Sequence, residues 1–230
     1  MYRDKKPQIL CKQVSSFNIL RLKFSPFDPL QLASCGKENI KFWRIKNGIV
    51  NGCPVVLSHH ARNSVFTDLD FEAGFQSSDP EENEAMKRVL CCSKQGMVFA
   101  VNYHTKRLEN FYQLHDGPIH SISVNEGFCV TGSDDKFLRV WFLDFSEYFI
   151  EAKHDGAVGA VNISQDRTQI ICGTLNGSLG LVDIAKEKYR TLLRSHYDEI
   201  IAADYNLLRN NVITVSKDKM IRLWEVDGSF

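Results

Sequence analysis

The 230-residue sequence lacks an excess of charge of either sign, because 28 lysine and arginine residues balance 28 aspartate and glutamate residues. A chain without an excess of positive charge does not attract the phosphate backbone of a nucleic acid, which argues against nucleic-acid binding as a main role. No run approaches the roughly 18 consecutive apolar residues that a membrane-spanning helix requires. The N-terminal segment MYRDKKPQIL has no apolar signal core. We therefore expect a cytoplasmic chain that binds neither nucleic acid nor membrane.

Motifs for disulfides, metals and phosphates are also missing. The seven cysteines are an odd number and include no CxxC pair. The adjacent Cys91 and Cys92 point to opposite faces of a strand, so joint ligation of one metal is not expected. The segments GKEN and GTLNGS lack the glycine spacing and the Lys-Ser/Thr ending of a phosphate loop. We expect no cofactor and no metal.

What the sequence contains is one unit repeated along the chain. Trp141, Val182 and Trp224 end three similar segments at spacings of 41 and 42 residues, within the roughly 40–45 residues typical of a four-stranded propeller blade. The same frame extends upstream to Val101 and Trp43. We predict a single domain of residues 1–230, and its repeats lie at about 15–50, 51–110, 111–150, 151–191 and 192–230. Four cysteines recur in the second strands of these repeats, which favours small buried residues over a ligand set; they are Cys35, Cys91, Cys129 and Cys172.

The predicted fold class is all-β. Short β-rich runs separated by turn residues, such as SDDK at 133–136, indicate a β-propeller of five four-stranded blades or an incomplete arc of a larger propeller. The second repeat is longer, because 58 residues separate Trp43 from Val101. The excess, at 71–87, is acidic and contains serine and proline, which is typical of a solvated loop inserted between two strands.

Histidine, hydroxyl, aspartate and tryptophan residues recur at matching places in the repeats. The third and fifth repeats hold complete sets, with Thr131 and Thr214 as alternative hydroxyl residues; the sets are His115, Ser133, Asp135 and Trp141, and His196, Ser216, Asp218 and Trp224. The fourth repeat keeps His154 but has Asn176 in place of the aspartate, and the first keeps only Trp43. Such residues also form catalytic relays. A set that recurs in several repeats is structural, however, because an active site would usually occur once, so we predict hydrogen-bonded networks that hold the blades.

The segments SDDKFLRVW and SKDKMIRLWEVD resemble the WD-repeat β-propeller superfamily, and VNEGFCVTGS and WFLDFSEYF resemble, within it, a family of large multi-propeller proteins of centrioles and cilia. The resemblance implies a non-enzymatic protein-interaction scaffold in centriole or basal-body architecture and cilium assembly. It implies centriolar or ciliary structural proteins as partners, and a location at the centriole, centrosome or basal body. The microtubule-binding domain of that family is absent from these residues, so microtubule association would be indirect or use other regions.

Ring closure is the open point of the predicted fold. The fifth repeat ends three strands into its blade, and residues 8–14 (QILCKQV) alternate well enough to form a strand that would close a five-bladed ring. Seven blades is the common number in the superfamily. We therefore favour an incomplete propeller.

Two surfaces are candidates for binding a partner. One includes Asp134 among the turn residues that connect strands. The other is the aromatic run after the third-repeat tryptophan, namely Phe142, Phe145, Tyr148 and Phe149.

The alternative function is a substrate receptor or adaptor of a cullin-type ubiquitin ligase, a role that many propellers have. That role often uses an arginine two positions after a Trp-Asp pair. Here Arg44, Phe142 and Glu225 follow the three tryptophans, so this pattern is missing.

Overall fold

The computed structural model describes residues 9–57, 59–61, 63–72, 86–186, 188–192, 195–206, 208–209 and 211–225. Within these ranges the chain forms strands and one short 3-10 helix, His59–Ala61. No helix in the described residues is long and apolar enough to cross a membrane.

The strands form five antiparallel sheets, each following chain order. Sheet 1 contains β1 (Ile19–Phe24), β2 (Gln31–Gly36), β3 (Asn39–Lys46) and β4 (Ile49–Pro54). Sheet 2 contains β5 (Phe66–Glu72), β6 (Arg88–Ser93), β7 (Met97–Asn102) and β8 (Leu108–Gln113). Sheet 3 contains β9 (Ile119–Val124), β10 (Phe128–Ser133), β11 (Phe137–Phe142) and β12 (Tyr148–Lys153). Sheet 4 contains β13 (Val158–Ile163), β14 (Gln169–Thr174), β15 (Leu179–Asp183) and β16 (Lys188–Leu192). Sheet 5 contains β17 (Ile200–Asn206), β18 (Asn211–Ser216) and β19 (Ile221–Glu225).

Tight turns join the second and third strands of each sheet. Lys136 and Lys219 adopt positive φ angles of 73° and 68° in two of these turns, and Gly96 and Gly177 occupy the corresponding places in sheets 2 and 4. A Cβ on Gly177 would lie 2.3 Å from the carbonyl oxygen of His196. Glycine is therefore required there by close backbone approach as well as by its φ angle.

The five first strands lie side by side as the inner strands of a curved array. β1 neighbours β5, β5 neighbours β9, β9 neighbours β13, and β13 neighbours β17. A cavity of about 220 Å³ lies along the common axis, and residues of all five inner strands line it. The all-β propeller class predicted from the repeats is confirmed.

Apolar clusters between neighbouring sheets form the core. The face of sheet 3 that carries Val130, Leu138 and Val140 packs on Val158 and Val161 of sheet 4, and these side chains are buried. Equivalent clusters join sheets 1 and 2, sheets 2 and 3, and sheets 4 and 5. Each sheet is therefore stabilised mainly by its neighbours, as in other repeat proteins.

The array is an open arc. Sheet 5 has three described strands, as predicted from the sequence, and its outward face is exposed at Leu223 (67 %). On sheet 1 the opposite face is exposed at Leu22 (51 %). The possible closing strand at residues 8–14 is not observed, because residues 9–14 are irregular and Ile9 and Val14 are exposed. The alternation of apolar and polar residues in this segment is not sufficient for a strand, because no neighbouring strand pairs with it in the described residues.

The insertion of the second repeat lies between β5 and β6. Most of the predicted segment 71–87, namely residues 73–85, is outside the described residues. The first two residues of the segment, Phe71 and Glu72, belong to β5. Glu72 accepts a hydrogen bond from Arg88 Nη2 at 2.7 Å. This buried ion pair joins the strands on either side of the insertion.

Candidate partner-binding surface

The recurring polar residues of sheet 3 form one connected network. Trp141 Nε1 donates to Thr131 Oγ1 at 2.9 Å, and Thr131 Oγ1 lies 2.7 Å from His115 Nε2. His115 Nδ1 lies 2.8 Å from Asp135 Oδ2. A neutral His115 imidazole can make both hydrogen bonds, because Nδ1–H donates to Asp135 and Nε2 accepts from the Thr131 hydroxyl. Burial lowers the pKa of His115, which favours that neutral form.

Sheet 5 repeats this network. Trp224 Nε1 donates to Thr214 Oγ1 at 2.8 Å, and His196 lies between Thr214 and Asp218 at 2.8 and 2.9 Å. Burial opposes ionisation of Asp218, but hydrogen bonds from His196 and from backbone N–H groups outweigh it, so its pKa falls to about 2.

The two serines that were predicted as members of these networks do not contact the histidines. Ser133 Oγ donates to Pro118 O at 2.9 Å, and Ser216 Oγ donates to Asp198 O at 3.0 Å. The hydroxyl members are Thr131 and Thr214, which the sequence left open as alternatives to the serines. Consecutive residues of a strand point to opposite faces, but residues two apart share a face, so direction alone could not separate threonine from serine. The tryptophan on the neighbouring strand pairs with the residue two places before the threonine, and its indole reaches the threonine diagonally.

The sequence carries a signal that distinguishes the threonines from the serines. Thr131 and Thr214 precede their tryptophans by ten residues, and Ser34 precedes Trp43 by nine and accepts from its indole at 2.7 Å. Where valine replaces tryptophan, the corresponding residue is a cysteine; the pairs are Cys91 with Val101 and Cys172 with Val182. An indole N–H needs an oxygen acceptor when it is buried, whereas valine has no donor to satisfy.

Sheet 4 builds a different arrangement around its histidine. His154 Nε2 lies 3.4 Å from Cys172 Sγ, and Nδ1 lies within hydrogen-bond distance of the Tyr189 hydroxyl. Asn176, predicted to replace the aspartate beside His154, instead donates to Asp155 Oδ2 at 2.9 Å. Burial lowers the pKa of His154 to about 4. The side chain of Tyr189, on the outer strand, has replaced the turn residue as the partner of the imidazole.

These networks connect strands within one sheet and leave no histidine nitrogen directed at solvent. His115 and His196 have fully buried side chains, so a substrate could not reach them. The described residues contain no group of three or more histidine, cysteine, aspartate or glutamate side chains that could hold a metal. Asp134, in the turn between β10 and β11, is half exposed and pairs with His120 Nε2 at 3.3 Å. It stays a candidate for contact with a partner.

The exposed aromatic surface lies across three strands of sheet 3, namely β10, β11 and β12. Phe142 (44 % exposed) and Phe149 (38 % exposed) lie side by side, with ring centroids 4.8 Å apart. Phe128 packs edge-on against Phe149 at 6.0 Å. We call Phe128, Phe142 and Phe149 the aromatic patch. Large, rigid rings that are half exposed suit partner binding, because they bury much area and lose little conformational entropy.

The other two aromatic candidates lie elsewhere. Tyr148 is exposed but packs edge-on against Trp141 at 5.4 Å, and consecutive residues such as Trp141 and Phe142 point to opposite faces of a strand. Phe145 is 7 % exposed and lies 4.7 Å from Tyr112, within the core between sheets 2 and 3. Phe145 is therefore unavailable to a partner. Its place in a left-handed turn, with φ of 57°, directs it inward.

The chain matches the family described as WD domain, G-beta repeat, over residues 106–141. The match begins just before β8, the outer strand of sheet 2, and ends in β11, so it includes Thr131, Asp135 and Trp141. Residues 106–141 therefore contain a WD repeat. The resemblance drawn from SDDKFLRVW is confirmed.

Several curated proteins are similar to this WD-repeat chain. WD repeat-containing protein 90 of Xenopus tropicalis is 33 % identical over 97 % of the chain and 13 % of its own length. Centriole proteome protein 16 of Chlamydomonas reinhardtii is 35 % identical over 83 % of the chain and 10 % of its own length. Echinoderm microtubule-associated protein-like 2 of Mus musculus is 23 % identical over 96 % of the chain and 32 % of its own length. The WD-repeat chain thus spans a small part of each relative.

Solved structures share the fold. The computationally designed Ika8 protein superposes with a TM-score of 0.69 at 19 % identity, over 90 % of this chain and 58 % of Ika8. The designed Ika4 protein superposes with a TM-score of 0.59, over 75 % of this chain and 97 % of Ika4. The WD-repeat arc is therefore longer than Ika4 and shorter than Ika8.

Proposed function

We propose that the chain is a non-enzymatic protein-interaction scaffold that contributes to centriole or basal-body architecture and cilium assembly. The observation that carries this proposal is the 35 % identity to a centriole proteome protein over 83 % of the chain. The similarity to WD repeat-containing protein 90 supports it. The same buried network occurs in sheets 3 and 5, and this recurrence supports a structural and non-catalytic role for its residues.

The proposed binding element is the aromatic patch, which would anchor a centriolar or ciliary structural protein in the cytoplasm. Phe142 on β11 and Phe149 on β12 offer adjacent half-exposed rings, and the outer edge of β12 can also pair with an extended segment. One relative is named echinoderm microtubule-associated protein-like 2. We nevertheless expect any microtubule association of this chain to be indirect, since the proposed anchor is apolar and the chain has no basic excess.

Proximity labelling of the tagged chain in ciliated cells tests the proposal. We expect enrichment of centriolar proteins for the wild type and its loss for the double variant Phe142→Ser/Phe149→Ser. Phe111→Ser is the matched control, because Phe111 is a comparably exposed phenylalanine on the outer strand of sheet 2. A diffuse cytosolic profile of the wild type, or a profile dominated by ubiquitin-ligase adaptors, would reject the centriolar role. Unchanged enrichment in the double variant would reject the aromatic patch alone.

A further inference from the structure

The outer strand of sheet 1, β4, has an edge that is open to an added strand. Natural proteins protect exposed edge strands with charged side chains or β-bulges, which hinder pairing with another chain. The other described four-stranded sheets have this protection: β8 and β12 each show a register shift against the neighbouring strand, and β16 carries Lys188 and Arg190. β4 has the sequence IVNGCP, without a charged residue, and pairs with β3 in unbroken register. It therefore lacks both forms of protection.

The backbone of β4 directs hydrogen-bonding groups outward. In an antiparallel pair, residues that exchange hydrogen bonds alternate with residues whose N–H and C=O groups point away from the partner strand. Val55 N–H donates to Ile40 O at 2.9 Å, so the odd-numbered residues of β4 bond to β3 and the even-numbered ones face outward. The outer edge therefore presents the N–H and C=O groups of Val50 and Gly52. No described strand pairs with that edge.

This edge lies on the circumference of the arc, where a further sheet would not cover it. Successive sheets contact each other through their faces, in the apolar clusters between them. Sheets 2 and 3 have a neighbour on both faces, yet no further strand among the described residues pairs with the outer edge of β8 or of β12. The openness of the β4 edge is therefore independent of what precedes or follows this sequence.

Positive charge lines one face of sheet 1 beside this edge. Phe42, Arg44 and Lys46 are alternate residues of β3, so they share the face that Phe42 turns toward sheet 2. Lys106, in the turn between β7 and β8, extends over the Phe42 ring, with Nζ 3.9 Å from the ring centroid. Cys53 of β4 lies opposite Phe42. Three cationic side chains are thus spaced along β4 on one side of the sheet.

The described carboxylates balance little of this charge. Asp28 lies 3.7 Å from Arg44, whose side chain is 62 % exposed, and no described carboxylate pairs with Lys46 or Lys106. Burial lowers the pKa of Lys106 to about 8, and Arg44 adds to this lowering, because a neighbouring cation disfavours the charged form of the amine. A carboxylate brought beside these side chains would be attracted by all of them.

We propose that β4 binds an extended segment of a partner protein as a fifth strand of sheet 1, and that this segment carries acidic residues at alternate positions. Side chains of a strand alternate between the two faces of its sheet, so acidic residues two apart would share the face of Arg44, Lys46 and Lys106. The added strand would lie two strand spacings, about 10 Å, from β3, and a long cationic side chain and a glutamate can span that distance together. Backbone pairing supplies affinity, and the carboxylates supply specificity. The inference depends neither on the aromatic patch nor on the proposed centriolar role.

Nuclear magnetic resonance with a synthetic probe tests this. The probe is a heptapeptide of alternating glutamate and valine with blocked ends, and the matched probe has lysine in place of glutamate. The glutamate probe is expected to slow hydrogen exchange of the Val50 and Gly52 N–H groups about tenfold or more, because these groups become bonded. The Cys53 N–H, which already bonds to β3, should change little. The lysine probe is expected to bind about tenfold more weakly.

Variants of the chain separate backbone pairing from charge. Val50→Pro removes an outward N–H but no bond to β3, a position where an edge strand tolerates proline, and is expected to weaken binding about tenfold. Val50→Thr keeps the N–H and is expected to bind like the wild type. Lys46→Glu is expected to weaken binding of the glutamate probe about threefold to tenfold. Lys153→Glu makes the same change on β12 and is expected to have no effect.

Thermal melts verify folding, and a glutamate probe with N-methylated valines, which cannot donate to the edge, replaces Val50→Pro if that variant fails to fold. Absence of binding at millimolar probe, equal binding of both probes, or protection at β8, β12 or β16 instead of β4 would overturn the proposal. Binding that survives both Val50→Pro and N-methylation would also overturn it. Binding that appears only after Asp79, Glu81, Glu82 and Glu84 are replaced by amides would assign the edge to this chain's own acidic insertion and reject a partner protein.

Discussion

Arg21 Nε lies 2.9 Å from Asp68 Oδ1 and so joins the inner strand of sheet 1 to that of sheet 2. The other carboxylate oxygen of Asp68 accepts from Ser121 Oγ at 3.0 Å and from the backbone N–H of Ile122 at 3.1 Å. A single carboxylate thus connects three successive inner strands. Because Asp68 is buried and its hydrogen-bonding capacity is used, it stabilises the arc and is not available to a ligand in the cavity.

Replacement of Asp68 should loosen the arc at sheet 3. Asp68→Ala leaves the Ile122 N–H and the Ser121 hydroxyl without their acceptor, so we expect a loss of about 2–4 kcal/mol of unfolding free energy. The Arg21 pair adds little, since that guanidinium is partly exposed to solvent. Hydrogen exchange should show faster exchange in β9. Asp144→Ala, in an exposed turn, serves as the control, and equal exchange in both variants would contradict the assignment.

Thr131 should matter more to stability than other threonines. Thr131→Val preserves shape but leaves the buried Trp141 indole without an acceptor and His115 without its hydroxyl partner, so we expect a loss of about 2–3 kcal/mol. Thr168→Val removes a hydroxyl that donates only in an exposed turn and should cost less than about 1 kcal/mol. Urea unfolding of both variants provides the comparison. Equal losses would show that the network does not hold sheet 3.

The pH dependence of stability should have two separate windows. The pKa of His154 is about 4 in the folded chain against 6.5 ordinarily, so the unfolded state binds more protons between these values. Unfolding free energy should therefore fall as pH falls from 6.5 to 4, by about 2–3 kcal/mol from this residue. Asp218, with a pKa near 2 against 3.8, loses its contribution only at lower pH, between 3.8 and 2. Burial also lowers the pKa of His115, which adds to the first window.

Unfolding measured in urea at a series of pH values tests this prediction. His154→Gln should reduce the loss in the first window and leave the second unchanged. His120→Gln, at a partly exposed surface position, should retain both. A wild-type free energy that is flat from pH 6.5 to 4 would contradict the neutral, buried form of His154.

Single replacements in the aromatic run should differ in their effect on stability, because Phe145 is buried and Phe149 is partly exposed. Phe145→Ala empties a site in the core between sheets 2 and 3, so we expect a loss of about 3–4 kcal/mol. Phe149→Ala removes a ring that is partly exposed on the aromatic patch and should cost about 1 kcal/mol or less. Thermal melts of the two variants measure the difference. Similar midpoints for both would place Phe145 at the surface, contrary to the structure.

Thiol labelling should follow burial closely. Cys53 is exposed and Cys11 is intermediate, while the remaining five cysteines are buried. Burial raises the pKa of Cys91 and Cys129 well above the ordinary value, and the thiolate is the reactive form. We expect iodoacetamide to label Cys53 first and the buried thiols only after unfolding. Rapid labelling of Cys129 in the native chain would indicate that the core between sheets 2 and 3 opens.

The repeat spacing predicted more of the fold than of the candidate site. Tryptophans and valines at fixed intervals determine where third strands end, because each must enter the same intersheet core. Spacing does not fix which of two hydroxyls contacts a histidine, so Ser133 and Thr131 remained alternatives until the structure showed Thr131 beside His115. Nor does it fix register in detail. The cysteines of the second strands recur in the repeats, but Cys129 lies opposite Trp141 whereas Cys172 lies opposite Gly180.

The sequence by itself determined the all-β class, the five repeats and the histidine, aspartate and tryptophan members of the networks in sheets 3 and 5. These properties are local or periodic, since alternation, turn residues and spacing act within a single repeat. Only the tertiary structure decided which aromatic side chains are exposed, which residue completes each network, and that the ends of the arc do not meet. Those outcomes depend on contacts between repeats. Phe145 is buried because it packs in the core between sheets 2 and 3, whereas Leu223 is exposed because no described sheet covers it.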